Sequence, residues 1–394
     1  MKPIMGIRRR TWAEICMNAI DANFNVVKQA VAPSVKVCCV IKADGYGHGA
    51  VTLAKRYEEL SADYFAVSNI EEALELRRAG ITRPILILGF TPSECADLLA
   101  RENLSQCVYS YEYGRALAER AEQSGAQVKI HIKLDTGMGR IGFRGEREWK
   151  QAEEICYLPS LLPEGIFTHF AVADESEDGD VYTERQARLF AEGVAYLEGK
   201  GIRFDVRHCA NSAAIFDHPE CHFDMVRAGI VLYGFAPSGK MRNLPELKPV
   251  MTLKTVISHI KTLKKGETVS YGRTYTANQP VRIATVPIGY ADGFSRRLGN
   301  GRYSLKIGDR YAPIVGRVCM DQLMLDVTEL PCSVGDTVTV FGDDSKASAD
   351  EMARINETIN YEISCDVAKR VPRIYLCDGD VVGIMDSLVS NEIE

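Results

Sequence analysis

Residues 35–49 read VKVCCVIKADGYGHG. The first nine of them, VKVCCVIKA, are β-branched and small apolar residues with no alternation, the pattern of a strand buried on both faces. That strand ends in Lys42. A lysine there cannot stay fully solvated, and desolvation lowers its pKa, which suits an amine that forms a Schiff base or takes a proton from carbon. Alone, VIK would describe a lysine emerging into solvent. The GYGHG that follows, read as a flexible glycine turn carrying a phenol and an imidazole, gives the lysine chemical company.

Working outward, seven further runs repeat the texture: YFAVS (64–68), PILILG (84–89), QCVYS (106–110), VKIHIKLDT (128–136), EGIFTHFA (164–171), DVRHCANSA (205–213) and MVRAGIVLYG (225–234). Amphipathic segments such as IEEALELRRAG and YGRALAERAEQSG separate them, each closed by a glycine. Only the gap between the last two runs is too short for a full helix. Eight strands alternating with helices predict an α/β fold, an N-terminal (β/α)8 TIM-like barrel. An open doubly wound sheet is the alternative, but no GxGxxG follows the first strand.

Beyond about residue 245 the sequence changes character. VMTLKTVISHIKTLKKGETVS, QPVRIATVPIGYADG, YAPIVGRVCMDQLMLDVT and DTVTVFG are strand-like and broken by Gly, Pro and Asp turns, with one helix candidate near 348–357. The predicted division is a barrel over 1–240 and a mostly β C-terminal domain over 241–394. The length of 394 residues accommodates both, and 46% hydrophobic with 25% charged residues is ordinary for a globular chain. A net charge of −6 without a basic stripe argues against nucleic acid. The opening MKPIMGIRRR is basic, but Glu14 and Asp21 interrupt any signal-like apolar stretch, and no run has the length of a membrane span. A cytoplasmic protein is expected. The 12 cysteines contain no CxxC and pair with no histidine cluster, so no metal site is expected.

A barrel places its chemistry at the C-terminal ends of its strands. After Lys42, those ends present Arg140 in the glycine loop LDTGMGRIGF, His169 in THFA, and Asn211 with Ser212 in CANSA. Arg227 follows, then Ala228–Gly229–Ile230, whose backbone N–H groups can approach a ligand. A serine after strand seven and a glycine at strand eight fall where barrels bind phosphate. Each alone has a bland explanation; together they form a cationic rim. In the β domain, VSYGRTYTA with Tyr271 and VGRVCMDQLMLDV with Met320 and Asp321 read, from composition, as ordinary strands.

The blocks VIKADGYGHG, KLDTGMGRIGF, THFAVADE, RAGIVLYG, VSYGRTYTA, IGYADG and GRVCMDQ, in this order, closely resemble the alanine racemase family of fold-type-III pyridoxal-phosphate enzymes, from about Thr11 to Tyr375. The resemblance implies an isomerase that interconverts L- and D-alanine by a two-base mechanism, supplying D-alanine for peptidoglycan. It implies that Lys42 forms the aldimine with pyridoxal 5′-phosphate and is one base, and that Tyr271 of the partner subunit, near His169, is the other. Arg227 matches the residue facing the pyridine nitrogen. Tyr46, Ser212, Gly229 and Ile230 match the phosphate site, and Arg140 with the Met320 backbone matches the substrate-carboxylate site. Lys133 matches a lysine that is carbamylated and orients Arg140, Asp321 a residue positioning the interface site, and Tyr290 an entry-channel tyrosine. The expected assembly is a homodimer with active sites at its interface. One departure stands out: in CDVAKRVPRIY, Lys369 occupies the place of a tyrosine that contacts the cofactor phosphate. A serine or broad-specificity racemase is therefore the second reading. A single-barrel cofactor-binding protein would lack the β domain, and the related decarboxylases would need a carboxylate where Arg227 stands.

Overall fold

The computed structural model describes residues 10–389, and the chain enters its fold through a strand that the run-counting above leaves out, β1 (Thr11–Cys16). The next eight strands are the eight predicted ones. They are β2 (Lys36–Val40), β3 (Tyr64–Val67), β4 (Ile85–Ile87), β5 (Leu104–Val108), β6 (Val128–Lys133), β7 (Leu161–Phe167), β8 (Val206–His208) and β9 (Met225–Ala228). They form one parallel sheet in the order β8-β7-β6-β5-β4-β3-β2-β9. The two edges meet where the Arg227 N–H donates to the Ala210 carbonyl and the Asp224 N–H to the Arg207 carbonyl, both at 3.0 Å. The sheet thus closes into the expected barrel, with two hydrogen bonds instead of a regular ladder at the seam.

Helices follow β2 to β7, and local chemistry explains their limits. Tyr111–Ser124 begins where the Ser110 hydroxyl accepts from the Tyr113 N–H, buries Tyr113, Leu117 and Ala121, and stops at Gly125 with φ of 66°. The short gap between β8 and β9 holds only Ala214–Asp217 and a single 3-10 turn, Pro219–Cys221. Among the described residues no helix is long and apolar enough to cross a membrane.

The remaining strands are β10 (Met251–Val256), β11 (His259–Leu263), β12 (Thr268–Val269), β13 (Tyr275–Thr276), β14 (Val281–Val286) and β15 (Ser304–Ile307). After them come β16 (Arg310–Val315), β17 (Leu323–Asp326), β18 (Thr337–Phe341), β19 (Arg373–Cys377) and β20 (Asp380–Met385). All but the β12–β13 pair join β1 in a ten-stranded sheet ordered β11-β14-β17-β16-β15-β18-β10-β1-β19-β20. Strand β10, MTLKTV, alternates buried and half-buried residues, as a one-sided sheet requires. The predicted helix near 348–357 is Ala349–Asn356, capped by the Ser348 side chain. β1 pairs antiparallel with β10 (Thr11 opposite Thr255) and parallel with β19 (Ala13 opposite Arg373).

This pairing corrects the simple 240/241 division. The described residues separate into a β unit (10–20, 46–49 and 248–389) and a barrel unit (21–45 and 50–247). Strand β1 therefore counts with the β unit, and so does the short segment Tyr46–Gly49.

Candidate active site

The turn after β2 is not the flexible glycine loop that its sequence suggests. Ala43 (φ 53°, ψ 50°), Asp44 (53°, 46°), Gly45 (60°, 46°) and Tyr46 (φ 52°) make one turn of left-handed helix. Such a conformation costs roughly 1–2 kcal/mol per non-glycine residue, so the surroundings must hold it. The Ala43 N–H donates to Glu72 Oε1 at 2.7 Å and the Gly45 N–H to the Ile41 carbonyl at 2.9 Å. Asp44 Oδ1 accepts from the Ala50 N–H at 2.9 Å, where the next helix starts. Lys42 is thus carried on a strained, tied backbone, the usual setting of a functional side chain.

Arg227, on β9, is the most constrained group of the barrel unit. It is buried, and its Nη1 donates to His208 Nδ1 at 2.9 Å and to the His208 carbonyl at 3.2 Å. Its Nη2 serves the Thr168 carbonyl at 2.9 Å, the Cys209 carbonyl at 3.1 Å and His169 Nδ1 at 3.2 Å. Burial pulls its pKa down to about 10, which leaves it a cation at neutral pH. Among the described residues nothing accepts its Nε–H.

His169 is held well below the ordinary histidine range, first by burial and then by the charges of Arg227, Arg140, Lys133 and Lys42. Those four cations therefore act on one imidazole. Lys133 is buried too; its Nζ donates to the Leu134 carbonyl at 2.7 Å, and burial lowers its pKa to about 8. Arg140 is exposed and makes no ion pair among the described residues. The Ser212 hydroxyl accepts from the Gly229 N–H at 2.8 Å, and among the described residues neither its own hydrogen nor the Ile230 N–H finds an acceptor. A cationic rim with one open guanidinium N–H, one hydroxyl and one backbone N–H is the donor set for a phosphate and a ring nitrogen that accepts a hydrogen bond.

In the β unit Tyr46 is buried with its ring 6.1 Å from that of Tyr361. Tyr271, Met320 and Tyr290 are 66%, 52% and 45% exposed, unusually open for large apolar side chains. Tyr271 follows Ser270, whose φ of 68° turns the chain sharply and whose hydroxyl donates to the Arg317 carbonyl at 2.6 Å. The Met320 carbonyl accepts from the Ala291 N–H at 3.0 Å, tying its loop to that of Tyr290, while the Met320 N–H has no acceptor among the described residues. The Asp321 carboxylate is held by Arg370 at 2.7 Å, and Arg370 also bonds the buried Asp292 at 2.8 Å. Lys369 is exposed. The expected residues therefore fall into two groups, one on each unit.

Comparison with known proteins agrees with the two halves separately. A sequence model of the alanine racemase N-terminal domain matches residues 15–237, and one of the alanine racemase C-terminal domain matches 250–375. The chain belongs to the alanine racemase family. Alanine racemase 1 of Clostridium acetobutylicum is 46% identical over 95% of this chain and 98% of its own. Among solved structures, the alanine racemase of Clostridium difficile 630 superposes with a TM-score of 0.92 at 41% identity, covering 97% of this chain and 100% of that one. The Bacillus anthracis alanine racemase with bound L-Ala-P gives 0.91 at 39% identity, with 97% and 99% covered. The fold of this family member is thus the racemase fold, barrel and β domain both.

The structure also shows polar residues of the barrel that sequence reading passed over. His208, His131 and Glu164 lie in strands read only as apolar runs, and His208 bonds Arg227 directly. Their signal was present: a charged or imidazole side chain in a run buried on both faces needs a partner.

Proposed function

We propose that this chain is an alanine racemase that interconverts L-alanine and D-alanine with pyridoxal 5′-phosphate as cofactor. The carrying observation is Arg227, buried with both terminal nitrogens bonded and only its Nε–H open, in a chain that matches alanine racemases over nearly its whole length. When bound, pyridoxal phosphate supplies an aldehyde that takes up an amino group and a ring that withdraws electrons from the adjoining carbon.

The chain's own residues then divide the work. Lys42 would hold the aldehyde carbon and move the Cα proton on one face of the substrate. Tyr271 of the partner subunit would move it on the other; one group on each face is what inversion requires. His169 accepts at Nδ1 from Arg227, so its hydrogen sits on Nε2, where it would orient the phenol oxygen of Tyr271. Arg227 would direct its Nε–H at the ring nitrogen. A guanidinium does not give up that proton, so the ring would remain a modest electron sink and side reactions such as transamination would stay slow.

Tyr46, Ser212, Gly229 and Ile230 would surround the phosphate, and Lys369 would add an ammonium near it. Arg140 and the Met320 N–H would take the substrate carboxylate. Lys133, whose pKa near 8 makes far more free amine available at neutral pH than an ordinary lysine has, would react as that amine with carbon dioxide, losing a proton, to give a carbamate that steadies Arg140. Asp321 would order the loop of Met320 through Arg370, and Tyr290 would border the entry channel. The working enzyme would be a cytoplasmic homodimer with active sites at the interface, and its D-alanine would serve peptidoglycan synthesis.

The test is direct. Purified protein with pyridoxal phosphate is given L-alanine, with L-serine in parallel, and D-amino acids are read with D-amino-acid oxidase. D-alanine formed much faster than D-serine supports the reading. The reverse order would move the enzyme to another substrate, and no product from either would end the racemase reading.

A further inference from the structure

Strand β7 reads LLPEGIF, and its Glu164 lies in a strand of the barrel wall with a side chain only 15% exposed. Its Oε2 accepts from Tyr64 Oη at 2.6 Å, from Ser105 Oγ at 2.5 Å and from His131 Nε2 at 3.2 Å, and its Oε1 faces Lys129 Nζ at 3.3 Å. Burial alone would raise its pKa, but the bonds from His131, Ser105 and Tyr64 reverse that and hold it well below the usual carboxylate range. Glu164 is an anion.

From it a chain of contacts leads to the site. His131 Nδ1 lies 2.9 Å from His208 Nε2, and His208 Nδ1 lies 2.9 Å from Arg227 Nη1. The two ends dictate every proton between them. A guanidinium has no acceptor, so His208 Nδ1 must be bare and its hydrogen must sit on Nε2. His131 Nδ1 must then accept, which puts its hydrogen on Nε2, pointing at Glu164. An imidazolium at His131 would force His208 to turn a hydrogen toward Arg227. The chain therefore donates in one direction only, from Arg227 through two neutral imidazoles to the carboxylate.

The packing is built around this chain. Gly165 faces His131 in the β6–β7 ladder, beside a register shift, and a β-carbon there would lie 2.5 Å from the imidazole ring. The Phe167 ring stacks on His208 with centroids 4.9 Å apart and planes 5° apart, and the Tyr64 ring meets His131 edge-on at 6.0 Å.

We propose that Glu164, His131 and His208 are positioning residues for Arg227, a one-way hydrogen-bonded chain that fixes the guanidinium's orientation and balances its buried charge from the far end. The inference rests on the reading of Arg227 as the residue that faces the cofactor. With Nη1 tied through the chain and Nη2 tied to carbonyls, rotation that would withdraw the Nε–H breaks several bonds at once.

The test has two parts. In histidine-15N-labelled holoenzyme, the spectrum at neutral pH should show His131 and His208 as neutral rings with hydrogen on Nε2 and bare Nδ1, assigned by comparison with His131→Gln. A protonated ring or an Nδ1–H form at either position would overturn the chain whether or not the protein racemises alanine. Next, His131→Gln, which can still accept from His208 and donate to Glu164, should keep kcat within about threefold. His131→Leu and Glu164→Gln should each lower kcat about tenfold or more, with little change in KM. His131→Leu should do so at a temperature well below its own thermal midpoint, where the protein is fully folded. Activity that simply followed thermal stability, or an unchanged kcat in both disruptive variants, would overturn the positioning role.

Discussion

Lys42 is the residue on which the proposed chemistry turns, and its replacement has a readout that does not depend on turnover. Lys42→Ala should abolish the visible absorption of bound cofactor, while wild type shows it; an unchanged spectrum would remove Lys42 from its role. Tyr271 is 66% exposed in a single chain, so its loss should leave the fold intact. Tyr271→Phe is expected to slow the L-to-D direction at least a hundredfold while cofactor affinity changes little, measured by single-direction initial rates and cofactor titration. At this scale the residues themselves nominate Lys42, Arg140, His169 and Arg227 as candidates, because charged or imidazole side chains at strand ends or in the loops that follow them interrupt the apolar pattern. Tyr271 and Met320 enter as candidates only through the family resemblance, since they sit in stretches that look like any other strand-and-turn. Sequence reading missed Glu164, since the partners that make that carboxylate tolerable come from β3, β5 and β6.

The left-handed turn Ala43–Tyr46 is the element with most strain to contain. Asp44 does two things there: it tolerates the left-handed backbone better than most residues, and its carboxylate caps the helix that begins at Ala50. Asp44→Ala should lower stability by about 1–2 kcal/mol, read from the denaturant midpoint, whereas Asp44→Asn should be close to neutral. The turn was not legible beforehand. Nothing in KADGY announces four consecutive positive φ angles; the bonds that tie the turn include one to Glu72, which lies 29 residues away from Ala43. The barrel strands were legible because each is a short apolar run bounded by breakers, and β8 shrank to three residues because its end feeds loop and seam bonds instead of a ladder. β1 was illegible for the opposite reason: TWAEIC has no turn signals, and what makes it a strand lies far along the chain.

For the whole molecule, titration and assembly give two further expectations. His169 and His208 are both held well below the ordinary histidine range, mainly by burial and then by Arg227. Unfolded histidines bind protons below about pH 6.5 while these two do not, so the unfolded state gains protons first and stability must fall as pH drops through that region. Glu164, with its depressed pKa, adds to the loss once pH falls below about 4.3, where an unfolded glutamate takes up its proton. The thermal midpoint should therefore decline from pH about 7 to 5; a flat profile there would contradict neutral burial of the two rings. The proposed interface site predicts that specific activity falls on dilution in step with loss of the dimer, checked by activity and sedimentation over the same concentrations. The placement of β1 bears on how a cell makes this protein. Thr11 finds its partner Thr255 across a separation of 244 residues, and β19 is made later still. At a synthesis rate of roughly 5–20 residues per second, the strand emerges from the ribosome about 10–50 s before its first neighbour exists. During that interval both its edges are bare, a template for pairing with another chain, while the barrel strands from β2 to β9 are made one after another and complete their own sheet before β10 appears. TWAEIC is thus the segment whose exposure lasts longest during synthesis, and shortening that wait, by a circular permutation that brings β1 next to β10, should raise the soluble yield if the bare strand limits it.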